Sequence, residues 1–122
     1  YEIGVRLVGS EMCIRDSFLT HWVREKEMFS LEEGIRRMTS DTADLFGIQN
    51  RGRLNQGSFA DINIIDFEGM SLEYPEIVND FPGGAGRFIQ KSTGYTKTIV
   101  NGEVFMQDGE HTGALKGKML RN

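Results

Sequence analysis

The stretch Gly52-Arg53-Leu54-Asn55-Gln56-Gly57-Ser58-Phe59-Ala60-Asp61-Ile62-Asn63-Ile64-Ile65-Asp66 is where the hydrophobic pattern of this chain changes. Up to Asn50 the apolar residues recur at helical spacing. From Phe59 to Asp66 they follow the period of two expected of a strand. Gly57 bounds that strand on one side and the turn-forming Glu68-Gly69 on the other. Helices before a boundary near residue 50 and strands after it define an α+β chain, or two adjoining domains.

Working back from the boundary, Ser30-Leu31-Glu32-Glu33 is a capping box. The Ser30 hydroxyl can accept from the Glu33 amide while Glu33 reaches back. Leu31, Ile35 and Met38 then give the helix its core face, and Gly34 inside it points to close packing or a short helix. Ser40 or Asp41 can cap a further short helix through Ala43, Leu45 and Phe46, ended by Gly47. Before these, Phe18, Leu19, Trp22 and Val23 form one apolar stripe, with Arg24-Glu25-Lys26-Glu27 on the solvent side.

Working forward, residues 68 to 94 hold Pro75, Pro82 and the run Gly83-Gly84-Ala85-Gly86, and read as a long irregular excursion. Thr98-Ile99-Val100-Asn101-Gly102-Glu103-Val104-Phe105 is a hairpin, because Asn-Gly tolerates the positive φ of a type I′ turn. Asp108-Gly109 marks a further turn, and the polar tail Gly113–Lys118 reads as loose.

The first seventeen residues have two readings. Tyr1, Ile3, Val5 and Leu7 would share one face of a strand. The letters, however, resemble a translated transposase-type sequencing adaptor. Its DNA, CTC GTG GGC TCG GAG ATG TGT ATA AGA GAC, gives Leu7 to Asp16 in order, and the flow-cell end begins Tyr1-Glu2-Ile3. Residues 1–17 are therefore expected to be adaptor-derived and are set aside from fold reasoning.

The chain has 122 residues and a net charge of −4, a size for one ordinary domain or one piece of a larger one. A single Cys, Cys13, excludes an intramolecular disulfide framework and lies in the adaptor-like stretch. No apolar run approaches the roughly 18 residues of a membrane span, so the chain reads as soluble with no membrane partner. The acidic balance and the lack of a basic block argue against a nucleic-acid partner. Two His residues are thin material for a metal site, which usually takes three or more protein ligands. Without Tyr1–Asp16, which carry three acids and two bases, the charge becomes −3.

The Gly52–Asp66 stretch resembles the G-x-L/I-x-x-G-x-x-A-D-hydrophobic-x-hydrophobic-hydrophobic-D signature near the C-terminus of metal-dependent amidohydrolases. Thr98–Gly102 with Asp108-Gly109 is similar to their closing hairpin. Within that superfamily the N-acyl-D-amino-acid deacylases (D-aminoacylases) match best. The supporting segments are His21-Trp22-Val23-Arg24, Phe29–Glu33, Met38-Thr39-Ser40, Phe46-Gly47, Asp80-Phe81-Pro82-Gly83-Gly84-Ala85 and Gly109–Gly113.

The resemblance implies that residues 18–50 are the last helices of a (β/α)₈ barrel. Residues 51–122 would be C-terminal strands of a small β-sandwich-like domain. It implies a cytoplasmic enzyme whose Zn²⁺ activates water and polarises the amide carbonyl while a carboxylate shuttles the proton. The substrate implied is a small N-acyl-D-amino acid, cleaved to a carboxylate and a D-amino acid. Metal ligands and catalytic aspartate would lie on barrel strands preceding the His21-Trp22-Val23-Arg24 helix. This chain's partner would be the missing N-terminal portion of the same enzyme, and the chain alone would be inactive. The closing strand signature is also shared by dihydropyrimidinases and dihydroorotases, the alternative cyclic amidohydrolases. A free-standing, non-catalytic β module is the other alternative.

No residue of the chain is therefore expected to be catalytic, cofactor-binding or metal-ligating. His21 reads as a packing or helix-surface residue, since neither His nor Cys recurs at i+3 or i+4. His111 lies in a turn-rich segment. Asp61 and Asp66, five apart on a strand, fall on opposite faces; Asp61 is expected to bond backbone amides in the turn before the strand. Gly83–Arg87 lacks the Lys-Ser/Thr of a phosphate-binding loop. Its Arg87 is the one candidate for substrate-side contact, on a loop expected to pack over the barrel mouth or the β-domain.

Overall fold

The computed structural model describes residues 14–120, so the strand reading of Tyr1 to Leu7 and Cys13 lie outside the described residues. The chain starts with α1 (Ile14–Ser17), which runs straight into an eight-residue π-helix, Phe18–Glu25. Its wide winding shows at the exit, where the Lys26 amide donates to the His21 carbonyl, five residues back, at 2.9 Å. Helices α2 (Leu31–Met38) and α3 (Ser40–Leu45) follow.

One half of the capping box forms: the Glu33 amide donates to Ser30 Oγ at 3.2 Å. The Glu33 carboxylate accepts instead from Arg37, one turn on, at 2.8 Å. The neighbouring Glu32 carboxyl is held below its usual range, first by its own backbone amide and then by the Ser30 hydroxyl. Gly34 is buried, and a Cβ there would stand 2.7 Å from Val23 Cγ2, so the glycine marks close packing. The expected core face is rotated: Ile35 and Met38 pack inward, but Leu31 is 38% exposed.

Four strands form one antiparallel sheet in the order β1-β6-β7-β8, with β1 at Ile62–Ile65, β6 at Tyr95–Val100, β7 at Glu103–Gln107 and β8 at Glu110–His111. The β6–β7 turn is Asn101-Gly102, both at positive φ as a type I′ turn demands. Asp108-Gly109 makes the β7–β8 turn in the same way.

The excursion between β1 and β6 is more regular than its glycines and prolines suggest. Ser71–Leu72 (β2) pairs with Ser92–Thr93 (β5), and Glu76–Val78 (β3) with Arg87–Ile89 (β4). The Glu73 amide donates to the Lys91 carbonyl between the two pairs. The result is one interrupted two-stranded arm, residues 71–93, that doubles back through the 3₁₀ turn Pro82–Gly84.

The core lies where the π-helix meets the base of this arm. Leu19, Val23 and Met70 are its buried centre, flanked by Phe18, Phe29, Ile35, Met38, Ile65, Phe67 and Tyr95. Arg24, assigned to the solvent side by pattern alone, turns inward. Its NH1 donates to the carbonyls of Phe67 and Met70, both at 2.8 Å, and of Glu68 at 3.2 Å. Helix and arm are thus tied by one charged group holding three backbone acceptors. The Tyr95 hydroxyl also donates to the buried Asp16 carboxylate on α1.

Candidate functional site

The signature stretch builds a polar cluster at the hairpin turn. Arg51 leaves the loop after α3 and pairs with Asp61, which immediately precedes β1. Its NH2 also donates to Asn101 Oδ1 at 2.8 Å. Asp61 Oδ1 in turn accepts the Asn101 backbone amide at 2.9 Å. The aspartate therefore does bond a backbone amide, but one in the β6–β7 turn rather than in its own. The Arg51 guanidinium lies 4.2 Å from the Phe59 ring centroid, a cation–π contact. Only 15% of the Arg51 side chain is exposed, and its Nε is buried without a hydrogen-bond partner among the described residues.

Asn101 extends the cluster to the tail: its Nδ2 donates to the Lys116 carbonyl at 2.5 Å, and Lys116 Nζ pairs with Glu103 at 2.8 Å. The tail expected to be loose is pinned across the turn. Asp61→Ala leaves a largely buried guanidinium without its counter-charge, so it is expected to cost about 2–4 kcal/mol. Urea unfolding of the intact protein measures this. Combining Asp61→Ala with Arg51→Met should then cost clearly less than the two separate losses; simple additivity would show that the pair does not act together.

Beside this cluster is an open polar pocket of about 300 Å³ between the end of α3 and the loop that follows, with Asp44, Asn50, Arg51, Arg53, Asn55 and Ser58 in its wall. Arg53 and Asp44 pair at 2.5 Å. The arginine's hydrogen bond holds the Asp44 carboxyl below its ordinary range. Both arginines are thus neutralised by neighbouring carboxylates.

Arg87 sits beside the tip of the arm, at the end of the β3–β4 ladder. Its Nε and NH2 donate to the two oxygens of Asp80 at 2.7 and 2.6 Å, and its guanidinium lies 5.7 Å from the Phe81 ring. This fork closes the Pro82-Gly83-Gly84 tip and keeps the Asp80 carboxyl below its usual value, chiefly through that hydrogen bond. The pair therefore stays ionised at neutral pH and is lost only as pH falls through the lowered Asp80 pKa.

The remaining candidates stand apart. His21 bonds Glu25 one helical turn on at 2.9 Å, and its ring meets Trp22 edge-on on the helix surface. His111 packs against Phe105 and accepts the Gly113 amide through Nδ1 at 2.8 Å. Asp66 accepts the Gly69 amide in its own turn, away from Asp61. Among the described residues no three His, Cys, Asp or Glu side chains gather as a metal ion requires. These residues do not fit a metal centre. Nor is any helix among them long and apolar enough to cross a membrane. Arg24, Arg51 and Asn101 are the connecting residues that pattern reading missed; for Arg51, proximity to the signature was the available signal.

An α+β arrangement with this antiparallel sheet recurs in solved amidohydrolase structures. A D-aminoacylase examined for its binuclear metal centre superimposes on 82% of this chain with a TM-score of 0.64 and 25% identity. Residues 7–106 match the model of the amidohydrolase family, and the chain belongs to that family. Among curated proteins, the D-aminoacylase of Alcaligenes xylosoxydans xylosoxydans is 29% identical over 106 residues, 84% of this chain. The N-acyl-D-aspartate deacylase of the same organism is 38% identical over 92 residues, 75% of the chain. A dihydroorotase of Lactobacillus gasseri is 35% identical over 105 residues, 84% of the chain. The chain spans only 19%, 16% and 24% of the lengths of these three relatives, and 19% of the superimposed D-aminoacylase.

Proposed function

We propose that this chain is the C-terminal part of a metal-dependent amidohydrolase that hydrolyses an N-acyl-D-amino acid to a carboxylate and a free D-amino acid. The observation that carries this reading is the likeness to D-aminoacylase across 82% of the chain. In this reading residues 18–50 are the final helices of the barrel and residues 51–122 belong to the small β-domain. The metal, zinc in this reading, is held by residues other than those described, and this segment supplies structure rather than ligands.

The codon match supports an adaptor origin for residues 1–17, while the family match reaches back to Leu7. Sequencing the genomic locus decides between them. Native codons replacing the adaptor codons would support the origin proposed, and the same seventeen codons in the genome would refute it.

The locus also supplies the intact enzyme for assay. Release of D-amino acids from N-acetyl-D-amino acids, with the L-enantiomers inert, is the expected outcome. Turnover of dihydroorotate alone would replace this reading by the cyclic-amide one, which the 35% identity to a dihydroorotase favours. Arg87 is proposed to contact substrate from beside the tip of the arm; its guanidinium is partly exposed there and is oriented by the Asp80 carboxylate. Arg87→Ala in the intact enzyme is expected to raise KM with kcat little changed, and Arg87→Lys to recover part of the loss. Unchanged kinetics in Arg87→Ala would remove Arg87 from the substrate side.

A further inference from the structure

We draw no further inference here: the strongest candidate, the exposed apolar surface of the β-arm carrying Tyr74, Ile77, Phe81 and Phe88, is an unpartnered face, and nothing in the structure shows what covers it.

Discussion

Residues 18–122 expressed alone are expected to give an aggregated or molten product, with no cooperative melt and no hydrolase activity. The apolar side chains buried among the described residues are only Leu19, Val23, Ala43 and Met70. Large ones stand in the open instead: Tyr74 is 95% exposed, and Leu45, Leu54 and Leu115 are nearly as bare. Small cores rarely supply more than about 3–5 kcal/mol even when complete. The sheet has the same weakness, because β1 and β8 each have one neighbouring strand in it and Ile64 of β1 faces outward. Thermal scans by near- and far-UV circular dichroism, with dye binding to exposed apolar surface, test this against the intact enzyme. A sharp two-state melt with near-UV signal would overturn the expectation and restore the free-standing module. Stoichiometric zinc on the isolated segment would also contradict placing the ligands elsewhere.

The second large effect is expected at Gly94, where β6 meets the base of the arm. Its φ is +99°, and a Cβ would stand 2.7 Å from Met70 Cα and 3.0 Å from the Asp66 carbonyl oxygen. Both neighbours are backbone, so neither can swing aside as a side-chain tip would. Met70 is also the most deeply buried residue of the core, at 1% exposure. Gly94→Ala therefore adds overpacking to backbone strain and is expected to cost about 2–5 kcal/mol in the intact enzyme. Gly109 is the control: its φ is +84° but nothing lies within 4 Å, so alanine there meets strain alone, about 1–2 kcal/mol. Urea midpoints at constant m-value report both. Equal losses at the two positions would show that close approach at Gly94 is not what matters.

Features set by neighbours in sequence were legible before the structure. Ser30 caps α2 and Asn101-Gly102 makes its turn, because each depends on residues a few positions away or on its own φ. Gly34 marks a tight contact because a glycine inside a helix signals close approach, even though its neighbour, Val23, lies on the preceding helix. The arm was not legible. Its ladder joins Ser71 to Thr93 across Pro75, Pro82 and four small residues, which mask the alternation that identifies a strand. Arg24 was misread for a related reason: its acceptors are backbone carbonyls 43 to 46 residues away, and carbonyls carry no residue identity. Asp61 was read as serving its own turn, but a partner 40 residues on supplies the amide. For the candidate site, the signature located the segment within its family. The local pattern could not show that Asp61 faces Arg51 and that Arg87 is committed to Asp80.

The arm leaves and re-enters the sheet at nearly one point. The Asp66 amide donates to the Gly94 carbonyl at 2.8 Å, and Gly94 rests on Met70, so the entry and exit strands hold each other without help from the tip. An insertion or deletion between Ser71 and Thr93 changes the length of a side branch while leaving the β1–β6 register untouched. Relatives are thus free to vary in length here at little cost to the sheet, and a shortened branch could be closed by a two-residue turn. The segment that looked least ordered in the sequence is the one where the fold can most easily gain or lose chain.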